Sequence, residues 1–188
     1  MYVPKGEIYR APQFDVTPRA AIAPPGALVA VSPCMASVET GTSVADWRDH
    51  IIDSAEGIRR VIAETRRIAV LGMKEGDHKP AFFVPEYAKR AGFEIVPVPV
   101  YYPDATEMLD EPVYRTVSAI PGDIDMVNVF RKPEDIPPHL DDIIGKMPRS
   151  VWFQLGIRND EAAERLARTG IDVVQDRCLL VELRRIGR

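Results

Sequence analysis

Two cysteines, Cys34 and Cys178, are too few for a disulfide framework or a four-cysteine zinc site. The three histidines, His50, His78 and His139, form no i, i+4 pair, which argues against a histidine-rich metal centre. Basic residues are not in excess: 24 Lys and Arg face 28 Asp and Glu, a net charge of −4. Nucleic-acid binding calls for a concentrated basic surface, so no such partner is expected. No uninterrupted apolar run approaches the ~20 residues of a membrane-spanning helix, so no membrane partner is expected either. Neither a G-x-G-x-x-G nor a Walker A loop occurs, and no nucleophile-elbow motif marks a catalytic serine. The scarcity of cysteine and the ordinary balance of 46% hydrophobic and 28% charged residues fit a cytoplasmic protein.

Proline is not scarce, but it is unevenly spread. Six of the 17 prolines fall in residues 1–34, a stretch with few charges and no apolar periodicity. Proline fixes φ and removes a backbone donor, so this segment is expected to be a flexible tail. Met35 begins a sequence that reads as an ordinary protein start, and a start codon assigned too far upstream is the other reading. The remaining length suits one domain with a single core.

From 35 to 66 the pattern predicts an amphipathic helix region packed on the domain. Val44, Trp47, Ile51, Ala55, Ile58 and Ile62 recur at helical spacing, with Ser43 as the cap of a helix over about 44–66. Residues 67–188 then alternate between strand and helix. Strands are expected at 67–71, 93–98, 125–130, 150–155 and 171–175, with a short sixth at 179–183. One further strand or turn is expected near 113–117. Helices are expected at 79–91, 133–146 and 159–168. In the first of these, Pro85 fits only if the regular helix starts late. The strands are apolar runs rather than alternating patterns, as happens when both sheet faces are covered. The expected fold is therefore α/β, a Rossmann-like, doubly wound and mainly parallel sheet of five to six strands with helices on both faces. In such sheets ligands bind at the carboxyl ends of the strands.

Five loops lie at those ends. The first, Gly72-Met73-Lys74-Glu75-Gly76-Asp77-His78-Lys79-Pro80, combines a glycine for close approach, two lysines and a following helix start that points amide donors at an anion. A plain strand-to-helix turn is the competing reading. Gly72→Val is expected to block backbone approach to a ligand and leave the fold largely intact. The second, Val98-Pro99-Val100-Tyr101-Tyr102-Pro103, lacks the carboxylate that would hold a dinucleotide ribose; its two tyrosines could flank an adenine ring. The third is Phe130-Arg131-Lys132-Pro133. There Arg131 needs either an anion or a structural partner such as Glu134 or Asp135. In the fourth, Gln154 sits within an apolar run and must hydrogen-bond something specific, while Gly156 opens the loop. In the fifth, Asp176-Arg177-Cys178, the charged pair is expected to bond locally. Cys178 is readable as a reactive thiolate or as an inert buried thiol.

Taken together and in order, these segments resemble the stand-alone CoA-binding domain family, whose fold is shared with the CoA-binding domain of the succinyl-CoA synthetase alpha subunit. The resemblance rests on the strand leading to Gly72, Lys79-Pro80, Ile95-Val96-Pro97-Val98, Val127 to Glu134, Trp152 to Ile157, Asn159 to Ala163 and Asp176-Arg177-Cys178. It implies CoA or an acyl-CoA as ligand. The diphosphate would lie at Gly72, Met73, Lys74, Lys79 and Pro80, and the adenosine at Val98, Pro99 and Tyr101. Phe130, Arg131 and Pro133 would line the pantetheine path, with Gln154 and Gly156 nearer the thiol. Family members often carry an Asn-Pro pair and then a basic residue after the second strand. Pro99, Val100 and Tyr101 stand there instead, which removes a group suited to the 3′-phosphate.

The expected function is a non-catalytic nucleotide-binding module. An NAD(P)-binding oxidoreductase-like protein and an accessory subunit of an acyl-CoA ligase are the alternatives. A protein partner or homo-oligomer is compatible with either.

Overall fold

The computed structural model describes residues 46–188. The expectations for residues 1–34, the Ser43 cap and Cys34 lie outside the described residues. Five parallel strands form the main sheet: β1 (Arg67–Leu71), β2 (Glu94–Val98), β5 (Met126–Val129), β6 (Ser150–Phe153) and β7 (Asp172–Val174). A small antiparallel pair, β3 (Glu107–Met108) and β4 (Glu111–Pro112), sits in the long connection between β2 and β5. The sheet order is β2-β1-β5-β6-β7. The chain therefore moves outward one way from β1 to β2, then returns past β1 to β5 and continues the other way. This doubly wound, Rossmann-like arrangement has its topological switch point between β1 and β5, where such folds bind ligands.

Helices cover both faces. Helices α1 (Ala55–Glu64), α2 (Pro80–Arg90) and α5 (Leu179–Arg185) cover one, and α3 (Leu140–Lys146) and α4 (Asp160–Ala167) the other. Alternation along β1 assigns Ile68 and Val70 to the first face and Ala69 and Leu71 to the second. Both sets are buried, which explains the run-like strands. On the first face Ile58, Val61 and Ile62 of α1, Val84 and Ala88 of α2 and Trp152 of β6 belong to one buried cluster.

Four expectations are corrected. The single helix over 44–66 is instead a 3₁₀ turn at Trp47–His50, an extended break, and α1. Ile51 leaves the helical path to bridge Val173 in parallel, and Ile52 N–H donates to the Val173 carbonyl at 2.8 Å. Ser54 then restarts the helix, its side chain accepting from Gly57 N–H. Residues 179–183 are helical: Leu179 and Leu183 are buried four residues apart while Val181 is exposed. A short apolar run carries no period long enough to separate the two states. In the β2–β5 connection the short strands lie at 107–112 rather than 113–117. Helix α2 also begins at once, at Pro80, so Pro85 falls in its interior and not in its first turn.

Candidate functional site

Gly72 is the point where the loops after β1 and β5 meet. Its φ is +84°, and a Cβ there would lie 2.7 Å from the Phe130 carbonyl oxygen and 3.0 Å from Arg131 Cδ. Its N–H donates to the Val98 carbonyl at 2.8 Å. The close approach that demands glycine is thus to the neighbouring loop. A Gly72→Val change would strain the backbone and push two loops apart, so the expectation of an intact fold is corrected. Met73 is fully buried and anchors the loop in the core on the α2 face. Lys74 N–H donates to Ala81 C=O at 3.3 Å, Glu75 N–H to the Tyr102 hydroxyl at 3.3 Å and Lys79 N–H to Gly76 C=O at 3.0 Å. No side chain caps α2, and Pro80 at its first position has no N–H. Phe82 and Phe83 N–H fold back on the Lys79 carbonyl. Helix α2 therefore starts uncapped, with its positive dipole end facing this loop.

The facing wall comes from β5. Phe130 N–H donates to the Leu71 carbonyl at 2.9 Å and holds the two loops together. Arg131 has only 10% of its side chain exposed, and its Nη2 meets Asp135 Oδ2 at 3.2 Å. The carboxylate expected as its structural partner is Asp135. Arg131 Nε is buried without a partner among the described residues. Tyr101 lies half-exposed, with the Arg131 guanidinium 5.0 Å and the Lys74 ammonium 5.3 Å from its ring centre. The two tyrosines have separate tasks, since Tyr102 packs against the core and accepts from Glu75. His139 sits nearby with its pKa lowered from the usual imidazole value. Burial is the main cause and the Arg131 charge the next, while Asp142 and Asp135 oppose them.

Between these walls lies an open cavity of about 470 Å³. Lys74, Lys79, Pro80, Phe130, Arg131, Pro133 and Gly156 line it, so seven of the thirteen expected site residues converge. Ala81, Lys132 and Ile157 line it as well and were not anticipated. Lys132 and Ile157 adjoin expected residues in the sequence, but only the fold shows which neighbours turn inward. A smaller cavity of about 230 Å³ shares Pro80, Phe130 and Ile157 with the first and is otherwise lined by Phe83, Val84, Gln154, Leu155 and Cys178. Gln154 is committed to the protein: its Nε2 donates to Asn128 Oδ1 at 2.9 Å and its Oε1 accepts from Leu179 N–H at 3.3 Å. Gly156, at φ +79°, has nothing within 4 Å of where a Cβ would stand. Its N–H donates to Asp176 Oδ1 at 2.6 Å. Gly72 floors the junction without lining either cavity, and Tyr101 stands outside against Lys74 and Arg131. Met73, Val98 and Pro99 are buried and line neither cavity. Among the described residues no cluster of three His, Cys, Asp or Glu could hold a metal ion, and no helix is long and apolar enough to cross a membrane.

Residues 66–184 match the family described as CoA binding domain. The uncharacterized protein YneT of Bacillus subtilis (strain 168) is 32% identical over 124 residues, covering 66% of this chain and 90% of that protein. Among solved structures, the cell-free ID.343 protein from Thermus thermophilus superposes with a TM-score of 0.67 at 32% identity, covering 71% of this chain and 99% of its own. A hypothetical protein from Pyrococcus horikoshii OT3 gives a TM-score of 0.64 at 28% identity, over 71% of this chain and 92% of its own.

Proposed function

The chain belongs to the CoA binding domain family, and on that premise we propose that it binds CoA or an acyl-CoA as a module without chemistry of its own. One observation carries the reading. Lys74, Lys79, Arg131 and Lys132 converge with the uncapped start of α2 on one cavity, at the switch point of the sheet, and that cavity runs on into an apolar slot. A diphosphate suits the cationic part, because amide donors and a helix dipole favour anions there. Pantetheine is thin and largely uncharged, and the path past Phe130, Pro133 and Ile157 suits it. The slot beside Gln154 and Cys178 takes the sulfur end. Tyr101, more than half exposed beside the Lys74 and Arg131 cations, offers aromatic surface to the adenine. The apolar end of β2 argues against an NAD(P) dehydrogenase, which would use a carboxylate there for the ribose diol.

A thermal-shift titration tests this. CoA is expected to raise the melting temperature more than NAD or NADP at equal concentration, since a ligand stabilises the state it binds. Dephospho-CoA is expected to do nearly as well as CoA, because Pro99, Val100 and Tyr101 supply no cation for a 3′-phosphate. A shift with NAD and none with CoA would reject the ligand. With CoA, ATP, magnesium and small carboxylic acids the protein is expected to form no acyl-CoA.

A further inference from the structure

Proline is the least favourable residue inside a helix, so an interior proline calls for a reason. Pro85 is buried in the second turn of α2 and departs from the regular pattern of that helix. In an α-helix the carbonyl of residue 81 accepts from the N–H of residue 85. Proline has no N–H, and its ring crowds the carbonyl four residues back and tilts it outward. The Ala81 carbonyl is not left idle: it accepts from the backbone N–H of Lys74 at 3.3 Å. Lys74 directly follows the buried anchor Met73, at the point where the loop leaves the core.

We infer that Pro85 is a positioning residue for the loop after β1. By withholding a helical donor it leaves the Ala81 carbonyl to Lys74, and this bond ties the middle of the loop to the second residue of α2. The tie sets Lys74 on one side of the cavity and Lys79 on the other, with the start of the helix between them. The role in ligand binding rests on the CoA reading above; the bond itself does not.

Residue-resolved amide hydrogen exchange on the full chain tests the bond without ligand. The Lys74 amide is expected to be protected in the native protein. Pro85→Ala returns an N–H to the helix, and is expected to speed Lys74 exchange by about tenfold while the α2 amides keep or gain protection. CoA affinity in the same variant is expected to fall about three- to tenfold, as the loop must then be ordered on binding. If Pro85 served only helix packing, α2 protection and melting temperature would fall together and Lys74 exchange would follow them. An unprotected Lys74 amide in the native protein, or unchanged Lys74 exchange in Pro85→Ala, overturns the inference. Faster exchange with unchanged CoA affinity overturns the positioning role. Should the native protein fail to bind CoA while the exchange pattern holds, the CoA reading falls and the backbone tie stands. Should Pro85→Ala fail to fold, Lys74 protection in the native chain still decides whether the tie exists.

Discussion

Two grooves on this molecule have almost the same volume and opposite character. One, of about 480 Å³, runs between the 47–50 turn and α4 and is lined by Trp47, Arg48, Asp53, Arg158, Asp160 and Glu164 among others. Its charges come in both signs and most are matched: Arg48 bonds Asp46, Arg158 bonds Asp160 at 2.8 Å and Glu164 bonds Arg168 at 2.6 Å. The other, at the β1–β5 switch point, presents Lys74, Lys79, Arg131 and Lys132 and no carboxylate in its lining. Among the described residues only Arg131 is paired, through Asp135, and even there Nε has no partner. Size alone therefore does not mark the site. Unmatched charge of one sign, next to an uncapped helix start, does.

The largest expected effect comes from Gly72→Val. Positive φ and the 2.7 Å approach to the Phe130 carbonyl act together, and denaturant unfolding should show a loss of about 2–5 kcal/mol. The open Gly156 provides the contrast: Gly156→Ala should cost only about 1–2 kcal/mol, all of it backbone strain. Equal losses at the two glycines would mean that the loops do not meet as described.

A second pair of changes separates the grooves directly. Arg131→Leu should weaken CoA binding about 10- to 100-fold by isothermal titration, as loss of a shielded, charge-assisted contact does. Arg158→Leu, in the matched groove, should leave CoA affinity unchanged. Reversal of that order would move the anion site to the other groove. Lys79→Ala should have a smaller effect, about two- to fivefold, because the lysine is partly exposed, and the difference should shrink in high salt.

The smallest effect concerns pH. The folded-state pKa of His139 is depressed, mainly by burial and then by Arg131. Between its folded and unfolded pKa values the unfolded chain binds more protons, so stability rises with pH across that window. The contribution is fully present above the unfolded value, near 6.5, and is lost as pH falls through the folded one. Chemical denaturation between pH 5 and pH 8, compared with His139→Gln, checks it: the variant should show a flatter profile. An identical slope would mean that His139 titrates as in the unfolded chain.

Much of the fold was legible because the strands are short apolar runs closed by glycines. Gly72 ends β1, Gly92 precedes β2, and Asn159 caps α4 by accepting from Ala162 N–H. The failures have local causes. Ile51 and Ile52 fit a helical stripe equally well whether they lie on a helix or pair with β7, and only the Val173 partner decides. Leu179 to Leu183 is too short for a period. At the site, the charges of Lys74, Lys79 and Arg131 were readable from the loops alone. The roles of Gly72 and Gln154 were not, because both depend on groups far off in the chain: the Phe130 carbonyl for one, Asn128 and the Leu179 N–H for the other.

The bridge from Ile51 to Val173 has a counterpart at the opposite margin of the sheet. An open strand margin is a template on which another chain can add, and so a route to aggregation. At β7 the outward-facing Val173 carbonyl is taken by Ile52 N–H. At β2 one outward position is Pro97, which has no donor to offer, and its carbonyl is taken by Tyr114 N–H at 3.0 Å. Each margin is thus occupied at one point by the chain itself, which shortens the stretch open to a further strand.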